Sequence, residues 1–337
     1  RNVDARAEGC RRPPAAQRLI AAGDLTAARA GLYSGRPSFA GECMRLIDRP
    51  YLILAVTTLI WAGNAIASRL AVGHISPMML TCLRWVGTVL LVSAIPGVAF
   101  RREWPAIRAN WKWLAVMGVI GFPGFNASFY LAALYTSAIN IGIIQGSIPV
   151  MVLAGAFLVY RTPITPLQAI GIVVTVAGVV LLAARGSLEL LATLAFNLGD
   201  LLMLFACLGY SAYTVALRNR PAISPQPFFL GLSLVALVSS LPLLAIEVAQ
   251  GAAQLPDLKR LMLILYVAIF PGFVSQILFM RGVELIGPGR AGLWVNLVPV
   301  WTAILGPLIL GEIFAWYHAA ALALVLGGIA VAESGKR

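Results

Sequence analysis

From Pro50 onward the chain is a succession of apolar stretches, each about 18 to 24 residues long, separated by short polar breaks. No other feature limits the fold so strongly. About 20 helical residues are needed to cross roughly 30 Å of hydrocarbon. A lipid-facing backbone must also satisfy its own hydrogen bonds, which a helix does. The alternating pattern of a membrane β-barrel is absent. Composition agrees, with 60% of residues hydrophobic and 11% charged, against about 25% charged in an ordinary soluble domain. The sequence therefore predicts an all-α integral membrane protein.

The spans read at about 50–70, 77–98, 112–134, 138–160 and 166–184, then 195–217, 225–248, 260–282, 289–310 and 316–333. That is ten transmembrane helices in two groups of five, filling segments 44–185 and 195–333, with connections too short for a further domain. Residues 1–43 differ: they are Arg-rich and lack periodicity. They read as a disordered tail outside the fold, and Met44, directly before the first span, reads as the native start.

The formal charge of +12 does not point to nucleic acid, because the basic residues lie in loops and tail with no interleaved stacking aromatics. Their placement sets an orientation instead. On one side fall Arg36, Arg45 and Arg49, then Arg101, Arg102, Arg108 and Lys112, then Arg161, Arg218, Arg220, Arg281, Arg290, Lys336 and Arg337. The other side holds Arg69, Arg185, Lys259 and Arg260. Both termini are expected in the cytoplasm, in a multi-pass protein of the inner membrane. Cys10, Cys43, Cys82 and Cys207 show neither CxxC spacing nor His partners, so neither a disulfide nor a metal is expected.

The two groups of five repeat one another. An offset of 149 aligns Leu59, Trp61, Ala67 and Arg69 with Leu208, Tyr210, Ala216 and Arg218. At 148, Ser76-Pro77 meets Ser224-Pro225, and Phe122-Pro123-Gly124-Phe125 recurs as Phe270-Pro271-Gly272-Phe273. From Phe129 and Phe279 onward the offset is 150, pairing Gly142 with Gly292 and Pro149-Val150 with Pro299-Val300. Five spans per copy is odd, so the second copy enters the membrane from the opposite side. Inverted repeats of this kind place a solute site near the midplane, where the repeats meet.

Trp61-Ala62-Gly63-Asn64, Leu83-Arg84, the Pro149 and Pro299 helices and Leu310-Gly311-Glu312 before a final helix ending Leu326-Gly327-Gly328-Ile329-Ala330 resemble the drug/metabolite transporter superfamily, EamA type. The resemblance covers about residues 50 to 333 and implies a ten-helix, two-repeat carrier of small metabolites. One departure stands out. The first copy has Tyr160-Arg161-Thr162 where the Leu-Gly-Glu pattern would recur, so Glu312 is read only as a loop position.

Candidate site residues follow from buried polarity. Proline within a helix frees the carbonyl four residues earlier, so Gln145 and Asn296 set amides beside the groups that Pro149 and Pro299 release. These amides either solvate a kink or line a cavity. Asn126 and Gln276 lie just beyond Pro123 and Pro271. Arg84 is the one charge well inside a span, either a brace held by backbone carbonyls or a contact for a substrate carboxylate. Trp61, Asn64, Tyr130, Tyr210 and Tyr213 offer stacking faces and hydrogen bonds. Trp85, Trp104, Trp111 and Trp113 read as interface anchors, and His74 and His318 as residues near the interfaces without partners at catalytic spacing.

Asp200, Glu284 and Glu312 lie near span ends, so a central carboxylate relay is not expected. No GxxxxGK[ST], HExxH or GxSxG occurs. The sequence points away from an enzyme and toward a secondary transporter with no cofactor, whose partners are a small-molecule substrate and the bilayer. Amino acids or related compounds fit, with export favoured by the resemblance. A lipid or lipid-linked carrier flippase, and an intramembrane enzyme or sensor, are the competing readings.

Overall fold

The computed structural model describes residues 48–95, 100–187, 189, 197–286, 291 and 294–335 of the 337-residue chain. Two units separate along the chain, Arg1–Asp48 and Arg49–Arg337. All the helices described belong to the second, and the 1–43 tail with Met44, Cys10 and Cys43 lies outside the described residues. Among those residues all regular structure is helical.

In the first half the helices are α1 (Pro50–Ala71), α2 (Pro77–Ser93), α3 (Phe100–Ala109), α4 (Trp111–Val119), α5 (Phe125–Tyr135), α6 (Ala138–Gln145), α7 (Ile148–Tyr160) and α8 (Pro166–Ala183). The second half holds α9 (Leu198–Ala216), α10 (Pro225–Ala249), α11 (Leu258–Ile269), α12 (Ser275–Ile286), α13 (Leu297–Leu305) and α14 (Trp316–Ser334). Their starts follow local chemistry. Proline opens the first turn of α1, α2, α7, α8 and α10, where its missing N–H is unneeded. Thr165 and Gln168 form a reciprocal capping box on α8, and Asn197 caps α9 by accepting from the Gly199 N–H.

Among the described residues, seven helices are long and apolar enough to cross a membrane: Pro50–Ala71, Trp111–Tyr135, Ala138–Tyr160, Leu198–Asn219, Pro225–Ala249, Arg260–Ile286 and Trp316–Ser334. Three further apolar helices, Pro77–Ser93, Pro166–Leu182 and Leu297–Leu310, are shorter. The short helix α3 was not anticipated; its apolar side packs Phe100 on Trp104 and buries Ile107.

Contacts between the halves come in exchanged pairs. α1 packs on α12 as α9 packs on α5, and α2 packs on α11 as α10 packs on α4. α1 meets α13 as α9 meets α7. α2 lies against α10, and α8 runs along α14. The last pair is close because of small residues: a methyl group on Gly171 would strike the Gly328 carbonyl. This small-on-small contact is what membrane helices use to approach each other.

One aromatic departs from expectation. Trp85 is no interface anchor. It is 1% exposed, with its ring edge-on to Phe122 at 5.2 Å, because it lies on the inner face of α2. Trp104 and Trp111 are exposed as expected.

Candidate functional site

The repeated Phe-Pro-Gly-Phe bends the chain by a π turn, a local widening that leaves carbonyls without their usual partners. The turns are Ile120–Gly124, joining α4 to α5, and Phe270–Val274, joining α11 to α12. These sit 150 apart, whereas the tetrapeptides sit 148 apart, so the two-residue slip of the repeat falls at the turn itself. The glycine is required in both: a Cβ on Gly124 would lie 2.9 Å from the Val119 carbonyl, and one on Gly272 3.0 Å from that of Val267.

Polar side chains gather at the second turn. Arg84 is 6% exposed. Its Nη1 donates to Asn64 Oδ1 at 3.3 Å and to the Tyr130 hydroxyl at 3.0 Å, and its Nη2 to the Pro271 carbonyl at 3.1 Å. Tyr130 in turn donates to Asn64 Oδ1 at 3.2 Å. The Ser275 hydroxyl donates to the same Pro271 carbonyl and accepts from Trp61 Nε1, each at 2.9 Å. Phe279 lies against the Trp61 ring at 5.2 Å. No carboxylate is among the Arg84 partners; Arg84 Nε is buried without one. The first turn, by contrast, is wrapped in rings. Tyr213 lies 5.3 Å from Phe122, and Tyr210 lies 5.3 Å from Phe125. Asn126 donates back to the Phe122 carbonyl at 2.7 Å, which is self-solvation of the bend.

At Pro149 and Pro299 the structure corrects the expected kink. The helix stops at Gln145 and restarts at Ile148, so Pro149 sits in the first turn of α7, where proline costs little. Another turn, Val295-Asn296, precedes α13 and places Pro299 in that helix's first turn. The two sites touch. A Cβ on Gly146 would lie 3.0 Å from Pro299, and one on Gly142 would overlap Thr302. Gln145 Oε1 and Asn296 Oδ1 are both buried there without a partner. Buried polar oxygens left unpaired are uncommon and costly, which marks this crossing.

At the end of the bundle carrying the α1–α2, α5–α6 and α10–α11 turns, carboxylates fasten helix starts across the halves. Glu247 accepts from the Ser76 hydroxyl at 2.6 Å and from the Met78 and Met79 amides at 3.2 and 3.1 Å, capping α2. Glu312 accepts from the Ala138 and Ile139 amides at 2.8 and 3.1 Å, capping α6, with Arg69 3.8 Å away. Both use the positive end of a helix. Asp200, fully buried, accepts from Thr136 at 2.6 Å and from Asn140 at 3.2 Å. His318, in the first turn of α14, is buried and has a partner: it is 4% exposed and 3.2 Å from Asn140 Oδ1 through Nε2. Beside Glu247 a cavity of about 560 Å³ opens between Met78, Leu131 and Leu243.

The sequence-derived residues thus fall into three places. Trp61, Asn64, Arg84 and Tyr130 converge on the second turn. Asn126, Tyr210 and Tyr213 surround the first. Gln145 and Asn296 stand at the two helix breaks. Gln276 lies in the first turn of α12, next to Ser275. Asp200, His318, Glu247 and the capping role of Glu312 were missed. The signal available was a carboxylate or imidazole in an otherwise apolar helix together with a helix start needing a cap. Cys82 and Cys207 are buried free thiols, and the described residues hold no metal-ligand cluster.

Apolar helices long enough to cross a membrane, repeated in two halves whose helix breaks lie against each other, are the pattern of a multi-pass membrane protein. The chain belongs to the EamA-like transporter family, which matches residues 49–184 and again 197–333. It is 25% identical over 266 residues to the uncharacterized transporter YyaM of Bacillus subtilis (strain 168), covering 76% of this chain and 84% of that one. It is also 25% identical over 292 residues to YetK, an uncharacterized transporter of the same organism, covering 85% and 87%. A solved crystal structure superposes with a TM-score of 0.57 at 22% identity, covering 86% of this chain and 98% of that one, which establishes likeness of fold.

Proposed function

We propose that the chain is a secondary carrier of small, partly polar metabolites, amino acids and related compounds among them. It works by alternating access between two inverted five-helix repeats, ten spans in all. The observation that carries this reading is the exchange of contacts between the halves. α1 on α12 becomes α9 on α5 when the repeats are swapped, and α2 on α10 and α8 on α14 map onto themselves. A two-fold relation of this kind lets each half adopt the other's conformation at little net cost, which is how inverted repeats open to alternate sides. The solute would sit where the broken helices cross, against the unpaired oxygens of Gln145 and Asn296, with Arg84, Trp61 and Gln276 approaching from the second turn. The asymmetry of Lys and Arg supports placement in the inner membrane with both termini cytoplasmic. Export is the favoured direction.

Reconstituted vesicles loaded with a panel of labelled amino acids, sugars, nucleosides and organic acids test the function, with a fluorescent phospholipid in the same bilayer. Efflux of one solute class, reduced several-fold by Gln145→Leu or Asn296→Leu at unchanged protein level, is expected. Flipping of the phospholipid with no solute efflux would replace this reading with a lipid flippase. Reporter fusions at Arg218 and Lys259 should report opposite sides, and a shared side would sink the ten-span topology.

A further inference from the structure

The buried chain Asp200–Asn140–His318 joins three helices, α9, α6 and α14, drawn from both repeats, and its hydrogen-bond directions are fixed. The Ala315 amide donates to His318 Nδ1 at 2.9 Å, so Nδ1 carries no proton. Nε2 therefore carries the hydrogen and donates to Asn140 Oδ1 at 3.2 Å. That sets the Asn140 amide, whose Nδ2 donates to both Asp200 oxygens, at 3.2 and 3.4 Å, and to Thr136 Oγ1 at 3.1 Å. Asp200 is thus an acceptor throughout. The arrangement is complete only with a neutral imidazole and an ionised carboxylate.

A proton arriving at Nδ1 would turn that nitrogen into a donor facing the Ala315 amide, also a donor, and the cap on α14 would be lost. A proton on Asp200 would set an O–H against the Asn140 NH₂ or require Thr136 to reverse. A proton on Asp200 disturbs the bonds that cross between the repeats, and a proton on His318 frees the start of α14 from which its own bond to Asn140 is held. Around the chain lie Arg185, whose charge acts on Asp200, the Glu312–Arg69 pair at the start of α6, and the Tyr317 and Phe314 rings 4.3 and 5.6 Å from the imidazole.

We infer that Asp200, Asn140 and His318 form a proton-binding site that latches this end of the bundle when deprotonated and releases it when a proton is bound. Coupling of solute movement to protons would rest on the carrier reading; the latch is tested without transport. Amide hydrogen exchange on the full chain in lipid nanodiscs, corrected for intrinsic rates, reads the Ala315 amide between pH 8 and pH 5, the range in which histidine ordinarily titrates. Protection of Ala315 should fall about fivefold or more, the loss of one hydrogen bond. His318→Gln can hold both bonds without titrating and should abolish the pH response. Asp200→Asn should shift its midpoint. A flat wild-type profile overturns the proposal even if neither variant folds. An unchanged response in His318→Gln, or an unshifted midpoint in Asp200→Asn, also overturns it. Replacing sodium by choline should leave the profile unchanged; sodium dependence would overturn the proton in favour of a bound cation.

Discussion

The two Phe-Pro-Gly-Phe turns bend the backbone alike, yet one lies among rings and the other among polar groups. At the first, Tyr210 and Tyr213 pack on Phe125 and Phe122. At the second, Arg84, Asn64, Tyr130 and the Trp61–Ser275 pair surround the Pro271 carbonyl. The repeat offsets make Trp61 the counterpart of Tyr210, Asn64 that of Tyr213, and Arg84 that of the buried Leu232. What the halves share is the place where a helix yields. What they do not share is chemistry. A carrier needs both properties, since exchange of conformations requires matching hinges, whereas recognition of an asymmetric solute requires unlike walls.

The largest effect should come from removing the polar side of this contrast. Arg84→Gln leaves the Pro271 carbonyl and Asn64 short of donors and should cost about 3 kcal/mol, in line with breaking a buried charged network. Solute efflux should fall at least tenfold. Arg84→Lys keeps the charge but cannot reach Asn64, Tyr130 and Pro271 together. It should therefore weaken efflux of carboxylate-bearing solutes more than it lowers the unfolding temperature. Full efflux in Arg84→Lys with a large stability loss in Arg84→Gln would make the arginine a brace only, and the contrast between the turns a matter of packing.

Next come the turn glycines themselves. Gly124→Ala and Gly272→Ala each push a methyl group against a carbonyl five residues back, at 2.9 and 3.0 Å. At Gly272 the Thr88 hydroxyl stands 2.5 Å away as well. Overpacking of this kind costs about 1–3 kcal/mol, so both should lower the unfolding temperature, Gly272→Ala more. Equal or reversed losses would show that the π turns relax more freely than the packing around Arg84 implies.

Much of this was legible in the sequence, and the parts that were not share a cause. Span positions follow from hydropathy, and the repeat from its prolines and the tetrapeptide, because both signals are local. The carboxylate caps are not local: Glu247 serves α2 and Glu312 serves α6, each from the other half of the chain. Trp85 was misplaced because facing inward or outward on α2 depends on Phe122, a neighbour in space alone. Asp200 and His318 looked peripheral because they lie within three residues of their helix starts. Position along a helix did not reveal that those ends are buried. Arg84 was singled out as a charge inside a span with two readings open; it is buried, and the Pro271 carbonyl is the kind of partner a brace would have.

The smallest effect concerns another pair of equivalent positions. Arg161 ends α7 at φ 53° and Gly311 stands in the same place of the second half at φ 67°, both left-handed. Glycine takes that conformation freely, whereas a side-chain-bearing residue pays about 1–2 kcal/mol. Open space surrounds the Gly311 Cα, with nothing within 4 Å of an added Cβ, so Gly311→Ala isolates the backbone cost and should destabilise by about 1 kcal/mol. Arg161→Gly relieves the same strain but gains about 0.5–1 kcal/mol of unfolded-chain freedom, and also loses whatever the arginine contributes. The two terms nearly cancel, so its unfolding temperature should stay within about 2 °C of the parent. A clear gain in Arg161→Gly would mean that the first half stores strain at this corner that the second has shed. A clear loss would mean that the arginine side chain helps to hold the end of α7.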